Sequence, residues 1–170
     1  MRDTPNFDDA NFALKLYELR RESELRKARN LVGDVLDGAP YETFAAVMEY
    51  GHPENAHYRQ VTSFWGMCAS FVNRGIFHPD IFIDTCGEAI YMYSVFKPHL
   101  AKIRETNAMF MMQIERVINE HPAAKERLEV VDKARAAWAA KEAAAMAAKP
   151  AAAKAAKAAK KPKSLAKAKK

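Results

Sequence analysis

Glycine is scarce in this chain, with six residues in 170. None belongs to a Gly-x-Ser-x-Gly elbow or a Gly-rich phosphate loop, so the backbone geometry that exposes a nucleophilic serine or cradles a phosphate is missing. Cysteine is scarcer, with only Cys68 and Cys86, both inside apolar sequence. Two thiols do not make a disulfide-rich secreted scaffold, and free buried cysteines are expected. There is no Cys-x-x-Cys and no His-x-x-x-His to present metal ligands on one helix face. No alternating run of strand type occurs, since Val and Ile recur at helical spacing. Long apolar runs are absent too. The longest uncharged one, Val61 to Asn73, is too short to span a bilayer. The opening Met-Arg-Asp-Thr-Pro-Asn-Phe-Asp-Asp lacks the apolar region of a secretory signal, so a cytoplasmic location is expected.

What remains is a helical chain with divided charge. Residues 1–121 hold thirteen Lys and Arg against seventeen Asp and Glu, a net of −4. Residues 122–170 hold fourteen against four, a net of +10. The overall +6 therefore describes neither part, and an acidic partner is implied for the C-terminal segment alone.

The pattern predicts an all-α fold, a single bundle of about six helices over residues 1–148. The first is expected from Pro5 or Asp8 to about Val32, with Thr4-Pro5 as its start signal. Its later part, residues 20–29, is polar nearly all round and reads as a solvated extension with Glu22 and Arg26 paired. Ala39-Pro40 opens a second helix to Tyr50. A third, from Glu54 to Arg74, carries Tyr58, Val61, Trp65, Cys68 and Val72 on one face and is stopped by Gly75. A brief fourth follows His78-Pro79-Asp80. Tyr93, Phe96, Leu100, Ile103, Asn107, Phe110, Ile114 and Val117 then alternate three and four apart, predicting one coiled-coil-like helix from Glu88 to Glu120, bent at Pro98. The last helix is expected from Pro122 to Ala148, with Leu128, Val131, Ala134 and Trp138 as its stripe.

Candidate functional residues are few. Of the five histidines, His52, His78 and His121 precede prolines at turn or cap positions. His57 with Cys68 and Cys86 is the remaining constellation from which an enzyme or mixed metal site could be assembled, but no cofactor is implied and a non-enzyme is expected. Dense aromatics over 64–96 fit core packing, with an aromatic-lined ligand pocket or surface as the alternative. Met109, Phe110, Met111 and Met112 would occupy every side of a helix, which fits full burial or an adaptable partner surface equally. Half burial would make the chain a homo-oligomer.

Residues 149–170 contain nine lysines (Lys149, Lys154, Lys157, Lys160, Lys161, Lys163, Lys167, Lys169 and Lys170) spaced by Ala and Pro, with no acid. A composition so poor in apolar residues predicts disorder. Lysine is a point charge, and no arginine or aromatic is present to read or stack on bases. Any binding to nucleic acid, or to another polyanion, would be phosphate-driven and non-specific.

Two resemblances follow. The Lys/Ala/Pro segment is similar to the lysine-rich tails of linker-histone-like bacterial proteins and to those of some polyester-granule phasins, implying polyanion or granule association. The acidic part departs from linker histones, whose globular domain is basic and winged-helical. Phe64-Trp65, Asn73-Arg74-Gly75-Ile76-Phe77, Phe82, Gly87, Tyr93, Lys97-Pro98 and Arg104 together resemble a family of uncharacterised bacterial helical domains, which implies a helical fold and no particular activity.

Overall fold

The computed structural model describes residues 3–159, and side chains as far as residue 146. Helices make up nearly all its regular structure, and no strand occurs among the described residues. The chain divides into two compact units, Met1–Asp132 and Lys133–Lys170.

In the first unit the entry of α1 (Phe7–Arg20) is set by Asn6, not by Thr4-Pro5. The Asn6 side chain accepts from the backbone N–H groups of Asp8 and Asp9 at 2.9 and 3.1 Å, and Asp9 accepts from Asn6 N–H at 2.8 Å. This capping box satisfies donors that a helix start leaves unpaired. Asp9 is buried and also accepts from the backbone N–H of His78 at 2.9 Å, which ties the start of α1 to the His78-Pro79 turn.

The long first helix is in fact broken. Glu22 caps α2 (Ser23–Asn30) by accepting from Leu25 N–H at 2.8 Å and so does not pair with Arg26, whose guanidinium donates to the Arg21 carbonyl. Nor is the polar stretch a solvated extension. Leu25 and Ala28 are buried, while Arg20 and Arg29 converge on Glu88. A wider π-helical turn, Leu31–Leu36, follows.

α3 (Tyr41–Met48) and α4 (Asn55–Asn73) lie close to their expected bounds. α4 is the centre of the core and packs against α2 and, beyond it in sequence, α8. Tyr58, Val61, Trp65, Cys68, Ala69 and Val72 form its buried face. Gly75 ends it at φ 68°, a left-handed conformation that costs other residues 1–2 kcal/mol by the general estimate of about that size. Then come α5 (Pro79–Thr85) and α6 (Gly87–Phe96).

The expected coiled-coil helix is three separate pieces. After α6, Lys97–His99 tightens to a 3₁₀ turn around Pro98. α7 is short, Leu100–Arg104, and α8 begins only at Met112, running to Glu120. The seam residues Tyr93, Phe96, Leu100, Ile103, Phe110, Ile114 and Val117 are all buried, but they sit on separate helices and the turn between them. Asn107 is exposed in the intervening loop, where its carbonyl accepts from Phe110 N–H at 3.0 Å.

α9 (Pro122–Ala159) begins inside the first unit, where Ala124 and Leu128 are buried. Its packed stripe stops at half-buried Val131. In the second unit Trp138 is 70% exposed and Met146 is exposed, so Trp138 is not a core residue as its spacing suggested. The backbone stays helical to Ala159, past the expected end at Ala148. The side chains of the nine lysines, and residues 160–170 entirely, lie outside the described residues; the expectation of disorder over 149–170 meets helical backbone at 149–159 and for 160–170 lies outside the described residues.

Candidate functional site

Met109, Phe110 and Met111 lie in the turn between α7 and α8, and Met112 is the first residue of α8, so the segment does not run along one helix. Phe110 and Met111 point inward. The Phe110 ring stacks on that of Tyr58 at 6.1 Å and meets that of Phe96 edge-to-face at 5.3 Å. Met111 takes the left-handed conformation at φ 57°, which reverses the chain into α8. Met109 (68% exposed) and Met112 point outward. The proposed four-residue surface is therefore two residues on the surface and two in the core.

Those two methionines line a groove of about 350 Å³ between α4 and α8, together with Arg59, Thr62, Ser63 and Gln113. The turn is braced from beneath. The Arg104 guanidinium donates to the Phe110 carbonyl at 3.1 Å and pairs with Glu115 at 2.8 Å, and Tyr93 Oη donates to the same carboxylate at 2.9 Å. Burial would raise the Glu115 carboxyl, but Arg104 and Tyr93 outweigh it and hold it below the usual range. Burial and that same hydrogen bond push the Tyr93 hydroxyl up. The groove's outer wall is soft and its floor is fixed.

The histidines separate by role. His52 Nδ1 accepts from Glu54 N–H and His78 Nδ1 from Asp80 N–H, so both cap backbone turns as their positions before proline suggested. His57 stands 2.8 Å from Glu54 and 3.5 Å from Glu24 of α2. The Glu54 contact, opposed by partial burial and helped by Glu24, holds its pKa above the ordinary imidazole value. Glu54 and His57 are a Glu-x-x-His spacing at the start of α4, a signal present in the sequence. Lys27 pairs with Glu24 at 2.7 Å, so the cluster is an ion network linking α2 to α4. Among the described residues no three His, Cys, Asp or Glu side chains come together in a way that could hold a metal ion.

His57, Cys68 and Cys86 do not converge. His57 and Cys68 stand eleven residues apart on α4, about 16 Å along its axis at 1.5 Å per residue. Both thiols are free and buried. Burial pushes Cys68 to about 12, and Cys86 also upward, so neither is a thiolate near neutrality. The aromatic set is equally committed to packing. Trp65, Phe77, Phe82 and Phe96 are fully buried, with edge-to-face pairs such as Phe12–Phe77 at 5.0 Å and Phe44–Phe96 at 5.1 Å.

A helical domain with an aromatic core, an exposed methionine groove and a separate basic segment is what these observations define. None of its described helices is long and apolar enough to cross a membrane. Residues 7–121 match the family described as a Domain of unknown function (DUF4760), and the chain belongs to that family. The matched span runs from the first residue of α1 to the end of α8 and includes the 64–104 segment whose resemblance to an uncharacterised helical family is noted above. No curated protein and no solved structure matches the chain.

Proposed function

We propose that this is a non-enzymatic helical interaction protein whose lysine-rich C-terminal segment binds polyanions, nucleic acid foremost, without sequence preference. The observation that carries the reading is the division of charge, −4 over residues 1–121 and +10 beyond. The nine lysines of residues 149–170 lie outside the family-matched span, which supports reading them as a feature separate from the domain. Nine lysines among Ala and Pro neutralise phosphates and release counterions. Self-association of the domain belongs to the same reading, because several tails on one assembly raise avidity without any new contact.

The test is a gel-shift titration of random-sequence duplex with the full chain and with a full-length variant in which all nine tail lysines are Gln. At least a tenfold loss is expected. The parent's log–log salt slope should be negative and no steeper than about −8, nine contacts at roughly −0.9 each. Equal affinity of the two proteins would sink the proposal.

A further inference from the structure

Lysines alone carry the polyanion reading above, and residues 149–170 hold no aromatic. α9 supplies one. It runs as a single helix from Pro122 to Ala159, so the backbone at the start of the lysine-rich segment continues the helix that bears Trp138. No Phe, Tyr or Trp other than Trp138 follows Phe110 in the sequence. The indole is 70% exposed. Left in water it adds little to packing, yet its flat face is the best a side chain can offer to another ring or to a cation.

The neighbours on its side of the helix decide what it meets. Side chains three and four apart share one helix face. Ala134 and Arg135 precede Trp138 at those intervals, and Lys141 and Glu142 follow it. Lys141 Nζ stands 5.9 Å from the centre of the indole. Arg135 is half-buried and Lys141 exposed. Their positions lie six residues apart, about 9 Å along the axis. A flat π face is thus set between two cations. Glu142 is the one carboxylate of residues 133–159, against six Lys and Arg.

A bilayer is a poor match for this face. An interfacial helix keeps its charges opposite its apolar residues, whereas here the indole would draw Lys141 and Glu142 in with it. Single-stranded nucleic acid is a good one, because its bases stack on aromatic rings while its phosphates meet Lys and Arg. In a duplex the bases already stack on each other. We infer that α9 beyond Asp132 binds single-stranded nucleic acid, with Trp138 as the platform for an unpaired base and Arg135 and Lys141 beside the flanking phosphates. This rests on the polyanion reading above and adds to it a preferred ligand and a contact outside the nine lysines. Stacking accepts any base, so no sequence preference follows.

The test titrates the full chain with two polyanions at one salt concentration: oligothymidine, which has bases to stack, and inorganic polyphosphate, which has none. Trp138→Ala should weaken oligothymidine binding at least about fivefold, the lower end of what one stacked base is worth, and change polyphosphate binding by less than about twofold. Trp138→Tyr keeps a ring and should recover most of the loss. Oligothymidine should also quench the emission of Trp138, and polyphosphate should not. Equal losses for both ligands, or none for oligothymidine, overturn the inference and leave the polyanion reading standing. A parent chain that binds neither ligand overturns both. If Trp138→Ala instead abolishes binding to phosphatidylserine vesicles and leaves oligothymidine binding unchanged, the surface belongs to a lipid and the inference falls.

Discussion

α4 and the part of α9 beyond Asp132 are both long helical runs, and they are helical for different reasons. α4 is a mediocre helix former by composition, with Asn, His, Thr, Ser, Val, Phe, Trp and Gly among its nineteen residues. Several of these lose rotamer freedom in a helix or compete for its hydrogen bonds. What holds α4 is the face of Tyr58, Val61, Trp65, Cys68 and Val72 against its neighbours. The later part of α9 reverses this. Ala, Lys and Glu are among the best helix formers, and the described side chains from Ala136 to Met146 are all exposed. Helix made by packing is fixed in place. Helix made by propensity is marginal in water and is available to be reshaped by a partner.

The two tryptophans expose the contrast most directly. Trp65→Ala should cost about 3–5 kcal/mol, the general range for deleting a buried tryptophan, and in a domain of this size should lower the melting temperature severely or prevent folding. Trp138→Ala should stay within about 0.5 kcal/mol, as at most exposed positions. Thermal melts of the two variants check this, and comparable losses would erase the distinction.

The same difference explains what was legible in the sequence. Packing-driven elements announced themselves through periodicity, so α3, α4 and α5 fell close to their expected bounds and nearly every seam residue of 93–117 proved to be buried. Periodicity does not report continuity. A buried residue every three or four positions is satisfied by one helix or by two helices and a turn, and the break at 105–111 contains neither Gly nor Pro. Its signals were weaker: Thr106 and Asn107 are poor helix formers, and Met111 takes an αL conformation that a methionine does not advertise. The break after Arg20 was hidden in the same way, because Glu22 is a good helix-interior residue and not one of the usual cap types. The exposed face of α1 was in plain view as Phe7, Leu14 and Tyr17, but a sequence cannot say which of two apolar faces the core has taken.

The braced methionine turn sits between the extremes, neither deep core nor free helix. Arg104→Ala removes the donor to the Phe110 carbonyl and leaves the partly buried Glu115 with Tyr93 alone. The expected loss is about 1–3 kcal/mol, the usual cost of unpairing a buried polar group. Tyr93→Phe removes one neutral donor to the same carboxylate and should cost less, roughly 1 kcal/mol. Chemical denaturation of the two variants measures both. If Tyr93→Phe proves the more damaging, the guanidinium is not the main support of the turn.

The smallest effect belongs to His57, where α2 is fastened to α4 by charge as well as by packing. Glu54, Glu24 and, through Glu24, Lys27 surround the imidazole, and Asp34 lines the same shallow surface. The contact with Glu54 raises the folded-state pKa, so the folded protein binds a proton that the unfolded chain releases near the ordinary value of about 6.5. Stability then falls as pH rises. The contribution is complete below that ordinary value and disappears as pH climbs through the higher folded one. Solvent reaches Glu24 and Glu54 freely, so the gain is screened and should fade further with added salt. His57→Gln should flatten the pH dependence of unfolding on the alkaline side of 6.5 without changing the fold. An NMR titration placing the His57 midpoint at or below about 6.5 would show that charge does not fasten these two helices, leaving burial of residues such as Leu25 and Ala28 to hold α2 against α4.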